Sequence, residues 1–95
     1  KARLDAADLA NSVLLEMDEA ISSTDAADVG KVTLNGTTNP DSAVQLGQRT
    51  VRATFSGGVA VADTVEVDYR DLAGRLPEGV ECVDVWNLLG EGSLV

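Results

Sequence analysis

The side chains available for catalysis or metal binding are mainly carboxylates, because the 95-residue sequence has 16 acidic residues, one cysteine and no histidine. Without histidine, Ser-His-Asp and Cys-His catalysis, His-ligated zinc and a haem on a proximal histidine are excluded. One cysteine allows neither an internal disulfide nor a four-cysteine metal site. Paired carboxylates, acting as acid–base groups or as cation ligands, are the chemistry that remains.

Closely spaced carboxylates occur at four places: Asp5/Asp8, Asp25/Asp28, Glu66/Asp68 and Glu81/Asp84. Glu66 and Asp68 are two residues apart in a strand-like segment, so they share one face and could bind calcium. The spacing of a calcium-binding loop is absent, however, and such pairs are expected by coincidence in so acidic a chain. A solvated face is therefore the favoured interpretation, and a small acidic calcium-binding module is the weaker alternative. We predict no catalytic residue, no metal site and no cofactor.

Two further patterns also have structural explanations. Cys82 lies among valines and next to acidic residues, which do not lower a thiol pKa, so we expect a small core residue rather than a nucleophile. Asn35-Gly36-Thr37 matches the N-glycosylation acceptor pattern, but Asn-Gly is also a strong tight-turn signal. The turn is the favoured interpretation.

The charge balance argues against polyanionic partners. The net charge is −9 and the basic residues do not cluster, whereas nucleic-acid binding needs several Lys or Arg side chains on phosphates. Anionic membrane surfaces would repel the chain in the same way, and no segment approaches the roughly 20 apolar residues of a membrane span. We therefore expect neither direct nucleic-acid binding nor membrane association. The acidity is typical of a high-salt environment or of GC-rich coding bias, and composition does not separate the two.

Apolar residues near the N-terminus recur at four-residue spacing: Leu9, Val13, Met17 and Ile21. This spacing fits one face of an α-helix, and Asp5 is a suitable N-cap. The sequence therefore predicts an amphipathic helix over residues 4–22.

Beyond Gly30 the apolar residues alternate with polar ones, which indicates strands. The predicted strands cover residues 31–34, 48–55, 61–69 and 80–86, and residues 87–95 are predicted to be a loose tail. The expected fold class is α+β: the N-terminal helix packs on a small, mainly antiparallel sheet or partly open barrel of about four strands. Residues 1–95 are expected to form a single domain, with residues 31–86 as its strand-rich body.

The second and third of these strands are separated by Ser56-Gly57-Gly58, which suggests a hairpin. A register that pairs Val51 with Val65 and Phe55 with Val61 places apolar residues opposite each other. We therefore predict a bulged hairpin in this register.

A small core built largely of Val, Ala and Leu gives limited stability to an isolated domain, and contact with neighbours would increase it. We therefore expect a non-enzymatic structural or assembly subunit that forms homo- or hetero-oligomers. The leading setting is a small head, neck or tail protein in the particle of a tailed virus with a halophilic or GC-rich host. The alternative is the soluble ectodomain of an extracellular, cell-surface or pilus-like protein. The predicted partner contacts are Trp86, Tyr69, Leu88, Leu89 and Leu94.

Overall fold

The computed structural model describes residues 2–70, 72 and 84–88 of the chain, and for residues 84–87 it describes the backbone. Antiparallel strands dominate this part, with a short helix, α1 (Ser23–Ala26), and a 3-10 turn (Val29–Lys31) between the second and third strands. The strands are β1 (Ala2–Leu4), β2 (Ser12–Glu16), β3 (Val32–Leu34), β4 (Ser42–Gly47), β5 (Thr50–Thr54), β6 (Thr64–Val67) and β7 (Asp84–Asn87).

The strands form two separate sheets. One has four strands in the order β1-β2-β5-β4, and the other has three in the order β3-β6-β7. This is the strand order of constant-type immunoglobulin sandwiches. The likeness extends to strand order alone, because a chain with one cysteine cannot form the inter-sheet disulfide of antibody domains and its only tryptophan is in β7, not β3.

The core unites the apolar faces of both sheets. Val13 and Leu15 of β2 and Val51 and Ala53 of β5 are fully buried. They belong to one cluster with the buried residues of the other sheet, Val32, Leu34, Val65 and Val67. Phe55, which directly follows β5, and Tyr69, two residues beyond β6, join the same cluster. The predicted alternation is thus confirmed within β5 and β6. Val61 does not fit it, because it lies before β6 and is 50% exposed.

The predicted N-terminal helix over residues 4–22 is wrong, and so is the α+β class. Residues 2–16 form β1, a turn and β2, so the described part of the chain is mostly β. The four-residue spacing is also twice the strand period, so Val13 and Met17 lie on the buried face of an extended chain with Leu15 between them. Asp5 caps no helix: its Oδ1 accepts the N–H of Ala7 and its carbonyl accepts that of Asp8, which makes a turn.

The predicted hairpin between residues 48–55 and 61–69 is also wrong. β5 pairs with β2 and β4, whereas β6 pairs with β3 and β7. The connection from Phe55 to Asp63 crosses from one sheet to the other, so the apolar faces of β5 and β6 contribute to the core from opposite sheets. Alternation identifies the buried face of each strand but not whether two such strands lie side by side.

The smaller predictions have mixed outcomes. The Asn35-Gly36 turn is confirmed, since both residues have positive φ (53° and 73°) and Thr37 donates its N–H to the carbonyl of Leu34. Of the last predicted strand, 80–86, residues 80–83 lie outside the described residues; β7 covers Asp84–Asn87, and Leu88 beyond it is buried. The remainder of the predicted tail, residues 89–95, lies outside the described residues.

Candidate protein-binding edge

Within residues 2–70, 72 and 84–88, the two sheets have four edge strands, β1 and β4 in one and β3 and β7 in the other. An edge strand offers unpaired N–H and C=O groups to another chain, and proteins commonly shorten, charge or cover such edges. β1 has three residues and includes Arg3, and β7 has four and includes Asp84. Both therefore show features that discourage pairing with another strand.

The edge of β3 is covered by the chain that follows it. Leu34 and Thr38 exchange two backbone hydrogen bonds, of 2.7 and 3.1 Å. The side-chain amide of Asn39 donates to the carbonyl of Val32 at 2.7 Å. This three-residue strand is thus satisfied locally.

β4 is the longest of these edge strands. Its six residues, Ser42–Gly47, include no charged residue and no proline. Val44 and Leu46 are 51% and 48% exposed, while Ala43 packs partly buried against the core. α1 lies close to β4, and the pairing of β4 with β5 is irregular around Leu46. Among the edges in the described residues, β4 is therefore the longest, and it is uncharged and apolar.

Neighbouring residues hold β4 firmly on β5. Val44 is paired with Arg52 and Ala43 with Ala53, and an irregularity in the register occurs only between Gln45 and Gly47. At the start of the strand, Asp41 donates its N–H to the carbonyl of Thr54 at 2.8 Å.

The Asp41 carboxylate adds a second attachment at this end of β4. Its Oδ2 accepts the N–H of Ser56 at 2.6 Å. That hydrogen bond lowers the pKa of Asp41 below its ordinary value, so this carboxylate stays charged. β4 is therefore an ordered edge, anchored at its first residues, rather than a loose segment.

The outward face of the four-stranded sheet balances its own charges. Arg3 forms an ion pair with Glu16 at 2.7 Å, and Arg52 forms one with Asp5. The pKa of Asp5 is lowered, first by the N–H of Ala7 and then by the hydrogen bond from Arg52. In a chain of net charge −9, this locally neutral face is a favourable place for a second acidic molecule to approach.

The Glu66/Asp68 pair, the candidate for cation binding, lies at the end of β6. Glu66 is within β6, Asp68 follows it, and both are half-buried. No group of three or more potential metal ligands occurs among the described residues. Glu81 of the fourth pair lies outside the described residues, as does Cys82.

None of the five predicted partner contacts belongs to β4. Tyr69 and Leu88 are 2% and 5% exposed and pack in the core. The backbone of Trp86 is paired with Val65, and Leu89 and Leu94 lie outside the described residues. Their role in binding partners stays a prediction.

The sequence interpretation missed two features. The alternation of Ala43, Val44, Gln45 and Leu46 signals β4, but the Asn39-Pro40 break and the short apolar run hid it. Asp25 is 8% exposed, and its Oδ2 accepts the N–H of Arg70 at 2.6 Å, while Ser22 donates its N–H to the carbonyl of Arg70. No sequence signal indicates this long-range contact.

Tyr69, next to Arg70, has a buried hydroxyl with no hydrogen-bond partner in the described part of the chain. Burial raises its pKa above the ordinary value, and the negative charges of Asp25 and Asp28 raise it further. This group is therefore a neutral phenol that packs the junction between α1 and the end of β6.

Comparison with known proteins yields no match: no protein-family model, no curated protein and no solved structure proved similar to this chain. In the part of the chain that the structure describes, none of the helices has the length and apolar character needed to cross a membrane.

Proposed function

We propose that this chain is a non-enzymatic structural module that joins protein neighbours in a larger assembly. The observation that carries the proposal is the β4 edge, an ordered, uncharged strand with two half-exposed apolar side chains, Val44 and Leu46. Such an edge binds a partner by strand addition: main-chain hydrogen bonds supply affinity and the alternate side chains supply specificity.

The use of the carboxylates also favours a structural role. Six aspartates accept hydrogen bonds from backbone N–H groups or from Ser, Asn or Arg side chains that hold turns and strands: Asp5, Asp8, Asp25, Asp28, Asp41 and Asp63. Groups so engaged stabilise the fold and are poorly suited to proton transfer. With no histidine in the chain, an acid–base mechanism has few available groups.

Two settings are compatible with this role. A small head, neck or tail component of a tailed virus particle is supported by size and acidity alone. A cell-surface or pilus-like ectodomain is supported by the strand order of the two sheets.

Strand order of this type is common in cell-surface domains, although a fold by itself does not establish a function.

The test compares two variants of equal net charge, either in the cells that produce the protein or in the particles that contain it. Val44→Glu places a charge on the β4 edge, opposite Arg52, where the fold tolerates it. Leu9→Glu places the same charge at a side chain that is 59% exposed and remote from β4 in sequence. We expect V44E to move the chain from the high-mass, assembled fraction to the free fraction. L9E should leave the chain in the high-mass fraction.

Two results would contradict the proposal: a wild-type chain found only in the free fraction, or turnover of a substrate by the pure chain. Isothermal titration with calcium and magnesium addresses the weaker alternative of a calcium-binding module, for which we expect no binding heat.

A further inference from the structure

We propose that the partner of β4 is the β4 strand of a second copy, paired antiparallel about a two-fold axis through Gln45. The proposal rests on the structural role proposed above and names the partner of the same edge. It would join two four-stranded sheets into one continuous sheet of eight strands, which is the isologous contact that closed dimers use.

The first support is apolar self-complementarity. In a register centred on Gln45, Val44 of one copy faces Leu46 of the other, and the reverse pair forms across the axis. Both side chains are about half-exposed, so the contact covers four apolar side chains together. Cross-strand pairs of this kind are the unit of sheet stabilisation.

The second support is charge complementarity at the ends of the paired segment. The same arrangement brings Asp41 of one copy, just before β4, towards Arg49 of the other, in the turn after β4, at both ends of the contact. Both residues are exposed, and the hydrogen bond from Ser56 keeps Asp41 ionised. Between these positions, residues 42–48 contain no charged residue, so no like charges meet along the strand.

The third support is the state of the other described edges. β3 is covered by Asn39 and Thr38, and β1 and β7 are short and include a charged residue. The ion pairs Arg3–Glu16 and Arg52–Asp5 also leave the face beside β4 locally neutral, so two copies can approach there with the least repulsion.

The dimer should be weak and strengthened by salt. A six-residue strand is about 20 Å long, so its pairing covers less than the roughly 1,200 Å² of a stable interface. Two chains of net charge −9 repel each other, and at about 1 M salt the Debye length falls to about 3 Å. Screening of this repulsion outweighs the loss of the two Asp41–Arg49 attractions.

The first experiment is analytical ultracentrifugation of the full chain from about 10 μM to about 1 mM, at about 0.1 M and about 1 M salt. We expect a reversible monomer–dimer equilibrium that shifts to dimer at high salt. V44E should lower the association constant at least about tenfold, and L9E should leave it within about twofold. A wild-type chain that is monomeric throughout, or equal losses in V44E and L9E, would overturn the proposal.

The second experiment tests the register. Antiparallel partners have Cα atoms about 4.5–5.5 Å apart, within the range of a disulfide. In a Cys82→Ser background, Gln45→Cys should therefore form a disulfide-linked dimer on mild oxidation. Val61→Cys, at a residue that is 50% exposed, should stay largely monomeric, and equal dimer yields from both variants would refute the register.

The experiments distinguish a failure of the proposed β4 dimer from a failure of the proposed structural role. If V44E releases the chain from its native assembly while the pure chain stays monomeric and Q45C forms no dimer, this inference is wrong and the structural role stands. If V44E has no effect on the native assembly either, both are wrong.

Discussion

Asp5 and Arg52 join the turn after β1 to the middle of β5, across the intervening strand β2. The Nε of Arg52 donates to Asp5 Oδ2 at 2.5 Å, and Asp5 Oδ1 accepts the N–H of Ala7 at 2.9 Å. Asp5 is 4% exposed, whereas the Arg52 side chain is 39% exposed. One carboxylate thus shapes the turn and also fastens it to the sheet.

Asp5→Asn should destabilise the protein at neutral pH, because the amide cannot form the charge-assisted bond to Arg52. We expect a lower midpoint of urea denaturation, measured by circular dichroism. Arg3→Gln, which breaks the more exposed ion pair with Glu16, should cost only about 0.2–1 kcal/mol. An equal or larger loss in R3Q would contradict the special role of Asp5.

The stability gap between the wild type and D5N should depend on pH. The pKa of Asp5 in the folded state is lowered from 3.8, so its stabilisation is present above that value and is lost as pH falls through the folded pKa. Urea midpoints from pH 7 to pH 2 should show a constant gap that closes below pH 3.8. Comparison with D5N cancels the contributions of the other carboxylates, and a gap that persists at the lowest pH would disprove the assignment.

Gly36→Ala should cost about 1–2 kcal/mol, because Gly36 has a φ of 73° that a Cβ disfavours. The added Cβ itself meets only Glu66 Oε1 at 3.7 Å, so the cost is conformational rather than a clash. Gly57→Ala is the matched control, since nothing lies within 4 Å of its Cβ position and its φ is not positive. Urea denaturation should show little change for G57A, and similar losses in both variants would rule out this explanation.

Tyr69 should resist ionisation in the folded protein. It is the only tyrosine in the chain, so tyrosinate absorbance reports this residue alone. Because folding raises the pKa of Tyr69, its neutral phenol favours the folded state. This contribution to stability is complete below the pKa of the unfolded chain, about 10, and is lost as pH rises above that pKa. In alkaline titration the urea-unfolded chain should ionise near pH 10 and the folded chain at clearly higher pH; coincident curves would show that the hydroxyl is solvated.

Leu15→Ala should cost about 2–5 kcal/mol, because Leu15 is fully buried between the sheets. Leu9→Ala, at a side chain that is 59% exposed, should change the free energy of unfolding by no more than about 0.5 kcal/mol. A helix over residues 4–22 would place Leu9 on the same buried face as Val13. Urea denaturation of L9A and L15A therefore distinguishes the strand from the helix, and a large loss in L9A would favour the helix.

Local signals in the sequence were reliable where the physics was local. The Asn35-Gly36 turn follows from the left-handed backbone that these residues tolerate. The buried faces of β5 and β6 follow from alternation along each strand. The N-terminal segment failed because a spacing of four fits both a helix and an extended chain, and Leu15, on the buried face of β2, was the residue that a helix did not explain.

The candidate site could be read from the sequence only in part. The run from Ala43 to Leu46 has strand-like alternation, but its exposure depends on β4 lying at an edge. Tyr69 and Leu88, predicted as partner contacts, are buried within the chain. Aromatic or large apolar character does not distinguish a core residue from an interface anchor, because both bury the same kind of surface.

The amino-acid sequence is sufficient to define the chemical repertoire and the local turns of this protein, because composition and short-range backbone preference do not depend on neighbours in space. It excluded histidine chemistry and internal disulfides, and it located Asn35-Gly36. The folded structure was needed to learn which strands are neighbours, that β5 and β6 belong to different sheets, and that Val44 and Leu46 remain exposed. Strand pairing joins residues far apart in the chain, and its free energy depends on the burial of whole faces rather than on any short stretch of residues.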